Sequence, residues 1–274
     1  MILFPCLMVL LGLCCVSRAA PKNPGKVEDA PSGNTTVVSA VNATHSATNW
    51  TTKNDFYSAS NNISSQNKSA ETIEVRNMPV EEGDIMMTED RNAANTLWSN
   101  AIVPYEINPE LDHRRAEILA AFRMISASTC IRFVARTNEL NYLHIRDGEG
   151  CASFVGVSGG SQTVYFGPSC AVGNLVHELI HALGLYHEHT RGDRDQFITI
   201  NWPSVIPDKK ENFKVKYGNT LNLPYDFESI MHYGTTYFSV DGSPTILVND
   251  NKDVGQRTHL SALDIRKLKA LYRC

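Results

Sequence analysis

The stretch from His177 to His187, His-Glu-Leu-Ile-His-Ala-Leu-Gly-Leu-Tyr-His, constrains this chain more than any other part of it. As a helix it puts His177 and His181 one turn apart on one face, because side chains four residues apart project together. Two imidazoles so placed suit a single metal ion. Glu178 lies between them and can take a proton from a water at that ion without ligating it. Gly184 can end the helix in a left-handed cap, so that the chain turns and His187 returns as a third ligand. Three protein nitrogens leave a fourth position open, as in a catalytic zinc site rather than a structural one. His-Glu-x-x-His alone is a weak signal; fixing Gly and His at two further positions lowers chance occurrence roughly 400-fold. The other histidines, His45, His113, His144, His189, His232 and His259, show no ligand spacing.

Two signals place the chain outside the cell. The apolar run from Ile2 to Val16 is followed by Ser17-Arg18-Ala19-Ala20 and Pro21, the pattern of a cleaved signal peptide over residues 1–19. It is shorter than the roughly 20 residues a spanning helix needs, so no membrane partner is expected. Removing the signal takes Cys6, Cys14 and Cys15 with it and leaves Cys130, Cys151, Cys170 and Cys274. In an oxidising compartment these form two disulfides, with three connectivities open. Cys151 and Cys170 bracket a short Gly-rich stretch, so we pair them as a local clasp, which leaves Cys130 for Cys274. Loop-closure entropy favours the long bridge, on the order of 5 kcal/mol against ~3 for the short one.

The net charge of −4 is spread evenly: 18 Lys and Arg face 19 Asp and Glu from Asn92 onward, and 7 face 10 before it. Neither part has the basic excess that phosphate backbones demand, which argues against nucleic acid as a partner. Residues 31–70 differ from the rest. Asn, Ser and Thr fill 21 of these 40 positions, too little apolar surface to offset ordering entropy, and disorder is expected. Glycosylation sequons stand there at Asn34, Asn42, Asn49, Asn62 and Asn67, and none follows Asn92.

The globular part begins near Trp98. Asn108-Pro109-Glu110 reads as a helix start with Asn as cap, and Leu111, Ile118, Phe122 and Ile125 share a face. Ile131 to Arg136, Tyr142 to Arg146 and Gln162 to Phe166 read as strands. Ser261 with Asp264 makes a capping box for a last helix towards Cys274. Helices mixed with separate strands predict an α+β domain.

The longer run His177 to Asp195, HELIHALGLYHEHTRGDRD, resembles the extended zinc signature of the astacin metalloproteases, within the metzincins. Ser229-Ile230-Met231-His232-Tyr233-Gly234 is similar to that family's Met-turn. The resemblance covers about residues 92–274, with the four cysteines, Gly255-Gln256-Arg257 and the Leu271-Tyr272-Arg273-Cys274 ending. It implies a two-subdomain α+β catalytic domain at 92–274 with a mixed sheet, an active-site helix and a C-terminal helix. The implied architecture is the short hatching-enzyme and nephrosin-like one, without further domains after Cys274. One Zn2+ per chain would sit on His177, His181 and His187, with Glu178 as general base in peptide-bond hydrolysis. Met231 would form an apolar floor beneath the metal. Tyr233 would be an additional ligand that swings away to stabilise the oxyanion, and Glu188 would hold the new N-terminus of the mature enzyme. Gln162 to Phe166 is a candidate edge for pairing an extended polypeptide substrate antiparallel, and on sequence alone reads equally well as an interior strand.

The resemblance also supplies a restraint. Family propeptides carry a Phe-x-Gly-Asp motif whose Asp replaces the catalytic water. Glu82-Gly83-Asp84-Ile85 is similar to it, with Asp84 as the zinc-binding carboxylate of a zymogen. Glu81 stands where the family has Phe, so the aromatic anchor is absent. Residues 20–91 would form the propeptide. Arg91-Asn92 is the expected bond for an activating trypsin-like protease, since Asn92-Ala93-Ala94 resembles the start of mature members. The expectation is a secreted, extracellular, monomeric zinc metalloendopeptidase acting on extracellular proteins. Two alternatives stand beside it: an inactive relative that binds extracellular matrix or an egg coat, and a mucin-like coat whose working part is the sugar-rich tail.

Overall fold

A computed structural model of the chain describes residues 80–87 and 97–274; the expected signal peptide, the sequon-rich stretch and the Arg91-Asn92 bond lie outside the described residues. In chain order the elements are two short strands, β1 (Val80–Glu81) and β2 (Ile85–Met86), then β3 (Ile102–Ile107), α1 (Arg115–Ser126), β4 (Arg132–Ala135) and β5 (Tyr142–Arg146). There follow β6 (Cys151–Ala152), β7 (Ser161–Phe166), α2 (Val172–Ala182), β8 (Ile198–Ile200), β9 (Ile246–Val248) and α3 (Ala262–Tyr272). The class is α+β, as the mixture of motifs predicts.

Five strands form a mixed sheet in the order β4-β3-β5-β7-β6. Its neighbours are parallel except β6, which runs antiparallel to β7. Alternate residues of a strand share a face, and Leu143, Ile145, Val164 and Phe166 are fully buried. Helices α1 and α2 bring Ile118, Phe122, Leu175 and Leu179 to the same core. A second core, of Ile198, Phe213, Tyr225, Tyr233, Phe238 and Ile246, lies around the β8–β9 ribbon. Met231 belongs to the first core and Tyr233 to the second, so the segment between them joins the two subdomains.

Two expectations need correction. Asn108 does cap, accepting from the Glu110 N–H at 3.2 Å, but Pro109–Arg114 is a 3-10 segment and α1 starts at Arg115. A short 3-10 run commonly precedes an α-helix, and Leu111 is buried in it, so the apolar pattern looks continuous. The second concerns Gln162 to Phe166. β7 is an interior strand, with β5 along one side and β6 against Tyr165 and Phe166 on the other, and is not the outer strand of the sheet. The outer position belongs to β6, whose two residues are too few to show a strand pattern in sequence.

Cystines join Cys130 to Cys274 and Cys151 to Cys170. The first returns the end of α3 to the chain after α1. The second pins β6 beside the start of α2. The capping box of α3 is present: Ser261 Oγ accepts from the Asp264 N–H at 2.8 Å, and Asp264 accepts from the Ser261 N–H at 3.0 Å. Among the described residues no helix is long and apolar enough to cross a membrane.

Candidate metal centre

Helix α2 is set from both ends. Asn174 Oδ1 accepts from the Ala171 N–H at 2.8 Å. At the other end Gly184 takes φ 108°, a conformation that strains any other residue. Its N–H donates to the His181 carbonyl at 2.7 Å, and the Leu185 N–H donates to that of Ile180 at 3.2 Å, the paired bonds of a Schellman cap. The reversal carries His187 back beside His177 and His181.

All three imidazoles are buried. Their Nε2 atoms stand 3.1, 3.1 and 3.3 Å apart. Asp84 closes the group, its carboxylate oxygens 3.3 Å from His177 Nε2, 3.4 Å from His187 Nε2 and 3.7 Å from His181 Nε2. Donors around a tetrahedral zinc with bonds of roughly 2.0–2.1 Å stand about 3.3–3.4 Å apart. The group Asp84, His177, His181 and His187 therefore has the spacing that a zinc ion requires.

The outer ring nitrogens fix which atoms face the centre. His177 Nδ1 donates to the Ile230 carbonyl and His181 Nδ1 to the Leu185 carbonyl, each at 2.7 Å, while His187 Nδ1 donates to Glu82 Oε2 at 2.6 Å. A carbonyl only accepts, so Nδ1 of His177 and of His181 carries the proton and their Nε2 lone pairs turn inward. Burial opposes charge on Asp84, but His187, His177 and His181 hold its carboxyl well below the usual range. Burial pulls His181 down. On His187 burial acts the same way, yet Asp84 and Glu82 outweigh it and push the ring up to about 9.

The segment that brings Asp84 is a hairpin turn. Glu82 and Gly83 both take left-handed conformations, φ 51° and 84°, at a cost of roughly 1–2 kcal/mol for the glutamate. A Cβ on Gly83 would stand 2.5 Å from the Phe238 ring and 3.2 Å from the Tyr233 hydroxyl, so glycine is required. Beyond the turn the chain adds to the sheet next to β6. Ile85 bridges Ser153 in parallel, with Ser153 N–H donating to the Asp84 carbonyl at 3.0 Å and Met86 N–H to that of Ser153 at 2.8 Å. Before the turn, Glu81 pairs with Lys216 at 2.7 Å, an ion pair where the family motif has an aromatic ring.

Comparison with known proteins agrees with this geometry. The family model for the astacin peptidases matches residues 90–273. The chain belongs to the astacin family. It is 40% identical over 209 residues to high choriolytic enzyme 1 of Oryzias latipes, across 70% of this chain and 77% of that protein. To zinc metalloproteinase nas-14 of Caenorhabditis elegans it is 42% identical over 188 residues, across 65% of this chain and 37% of that protein. The solved structure of high choriolytic enzyme 1, a hatching enzyme zinc-protease, superposes with a TM-score of 0.63 at 39% identity, across 70% of this chain and 100% of that one. Like other astacins, the chain is a zinc-dependent metalloendopeptidase.

Within this astacin the remaining candidates fall as follows. Glu178 is fully buried on α2 between the first two ligands, and Met231 is buried in the first core. The Tyr233 hydroxyl donates to the Glu82 carbonyl, so here the phenol is held by the hairpin. Its ring stacks on His189 at 3.8 Å and stands edge-on to His187 at 4.7 Å. Glu188 is buried and engaged by Lys267 at 2.6 Å, Arg191 at 3.1 Å and the Asp226 N–H at 2.8 Å; Asn92 lies outside the described residues. Asp264, read from sequence only as a cap, also accepts from Ser229 Oγ at 2.6 Å and the Ile230 N–H at 2.9 Å. Sequence reasoning misses Glu82, Lys216 and this second role of Asp264. Only Glu82 carries a signal, since it lies inside the quoted motif, where it reads as a spacer.

Proposed function

We propose that the chain is secreted as a zymogen, with residues 1–19 as signal peptide and 20–91 as propeptide. Cleavage of Arg91-Asn92 by a trypsin-like protease frees the domain 92–274, a monomer that hydrolyses peptide bonds of extracellular proteins. The observation that carries this reading is Asp84, an anionic carboxylate at the fourth corner of the three-histidine group. Cleavage would remove it and open that corner.

One Zn2+ on His177, His181 and His187, when bound, supplies Lewis acidity towards a peptide carbonyl and brings the pKa of water to about 7. Glu178 takes the proton of the attacking water on a carboxylate oxygen and returns it to the leaving amine. Tyr233, once the Glu82 carbonyl has gone, turns its hydroxyl to the developing oxyanion. Glu188 takes the α-ammonium of Asn92. An extended substrate adds to the edge at β6 and Ser153, which residues 84–86 vacate. The hairpin lies parallel to that edge; a substrate paired antiparallel crosses the centre in the opposite sense, so the hairpin does not present its own peptide bond for attack.

The test is hydrolysis of a denatured protein by trypsin-cut chain, with and without a zinc chelator, beside Glu178→Ala. Activity that the chelator and the substitution both abolish is expected. A folded, zinc-loaded, correctly cut protein that hydrolyses nothing would overturn the reading in favour of the inactive, binding relative.

A further inference from the structure

The three ligand imidazoles do not take their support from the same part of the chain. His177 and His181 donate from Nδ1 to backbone carbonyls of the catalytic body, those of Ile230 and Leu185. His187 donates instead to a side chain of the hairpin, Glu82 Oε2, at 2.6 Å. That carboxylate is 1% exposed, and the turn that aims it is fixed by Gly83 against Phe238 and by the Tyr233 hydroxyl on the Glu82 carbonyl. Carboxylates placed behind metal-ligating histidines orient the ring and raise its basicity, and their loss commonly costs 10–100-fold in metal affinity.

We propose that Glu82 is the positioning residue for the third metal ligand in the uncut chain, so that departure of the hairpin withdraws the carboxylate behind His187 and leaves the ion less firmly held. This rests on the zinc reading above and adds a second role to the propeptide. Asp84 occupies the open corner, and Glu82 secures a ligand that the mature enzyme keeps. Metal loading is therefore favoured before cleavage, and the mature site holds its ion with one ligand less well braced. The Tyr233 hydroxyl bonds the Glu82 backbone carbonyl, so replacing the side chain does not remove that contact.

The experiment uses the full, uncut chain loaded with zinc, as wild type, Glu82→Gln and Glu82→Ala. Zinc release to a colorimetric chelator is followed before cleavage, and again after cutting and removal of the propeptide. The expected result is release about 10–100-fold faster for uncut Glu82→Ala than for wild type. Glu82→Gln should lie between, since its amide oxygen still accepts from Nδ1 but carries no charge. After the propeptide is removed the three samples share one sequence, and the wild type should release zinc faster than it does uncut. Cobalt-loaded samples give a second readout, a visible spectrum that Glu82→Gln shifts in the uncut chain and not in the cut one. Equal release from the three uncut chains overturns the proposal, as does a cut wild type that holds its zinc as firmly as the uncut one. An uncut wild type that takes up no stoichiometric zinc overturns the underlying metal reading instead, and this proposal with it.

Discussion

The Asp264 carboxylate accepts a hydrogen bond from the Ile230 N–H at 2.9 Å, and the Ile230 carbonyl accepts from His177 Nδ1 at 2.7 Å. A residue in the first turn of the last helix thus sets the backbone that orients the first metal ligand. Asp264→Ala would leave the Ile230 N–H and the Ser229 hydroxyl buried without their acceptor. Each such loss costs about 1–3 kcal/mol, so the uncut chain should lose about 3 kcal/mol in urea unfolding. A loss below about 1 kcal/mol would contradict this support.

A second buried carboxylate behaves differently. Glu188 holds Lys267 at 2.6 Å with both side chains almost fully buried. Removing one partner of such a pair leaves an uncompensated charge and destabilises by about 3–5 kcal/mol. Lys267→Met should approach that loss, softened by Arg191, which also reaches Glu188. Adding Glu188→Gln should restore much of it. A double variant no more stable than Lys267→Met would mean that the pair is not what the single substitution breaks.

The ion pair between Glu81 and Lys216 is partly exposed, 44% and 36% for the two side chains. Pairs of this kind contribute at most about 1 kcal/mol and weaken with salt. Lys216→Ala should therefore raise residual activity of the uncut chain by no more than about fivefold, and high salt should mimic it in the wild type. No response to either treatment would show that the pair does not help to hold the hairpin.

Roles at the metal centre separate by metal content. His187→Ala should lose zinc on dialysis together with activity. Glu178→Gln should keep its zinc and lose about 10²–10⁴-fold in kcat after cutting, the usual range for a general acid–base group. Parallel metal analysis and peptide hydrolysis distinguish the two; a zinc-free Glu178→Gln would assign the glutamate to the ligand set.

The legible part of the site is the part that is local in sequence. His177, Glu178, His181, Gly184 and His187 fall within one helix and its cap, so spacing alone gives their geometry, and Gly184 turns the chain by the conformation only glycine takes freely. The Ser261–Asp264 box is equally local. What the sequence hides are pairings across distance. Glu82 and His187 are 105 residues apart, Glu81 and Lys216 are 135, and Asp264 reaches Ile230 across 34. No period or spacing encodes such contacts. The position of β7 is hidden for a related reason: its alternation shows one buried face, and says nothing of which strands flank it.

The most direct test compares hydrolysis rates of one zinc-loaded sample before and after cleavage, with the new N-terminus sequenced. An intramolecular carboxylate competes at an effective concentration far above that of any added substrate, so cutting at Arg91-Asn92 should raise the rate by at least about 100-fold. Asp84→Ala should show only part of that rise without being cut, since the hairpin backbone still covers the edge at Ser153 and holds Tyr233. A wild-type chain that hydrolyses as fast uncut as cut would contradict the account, because Asp84 would then not be what closes the fourth corner.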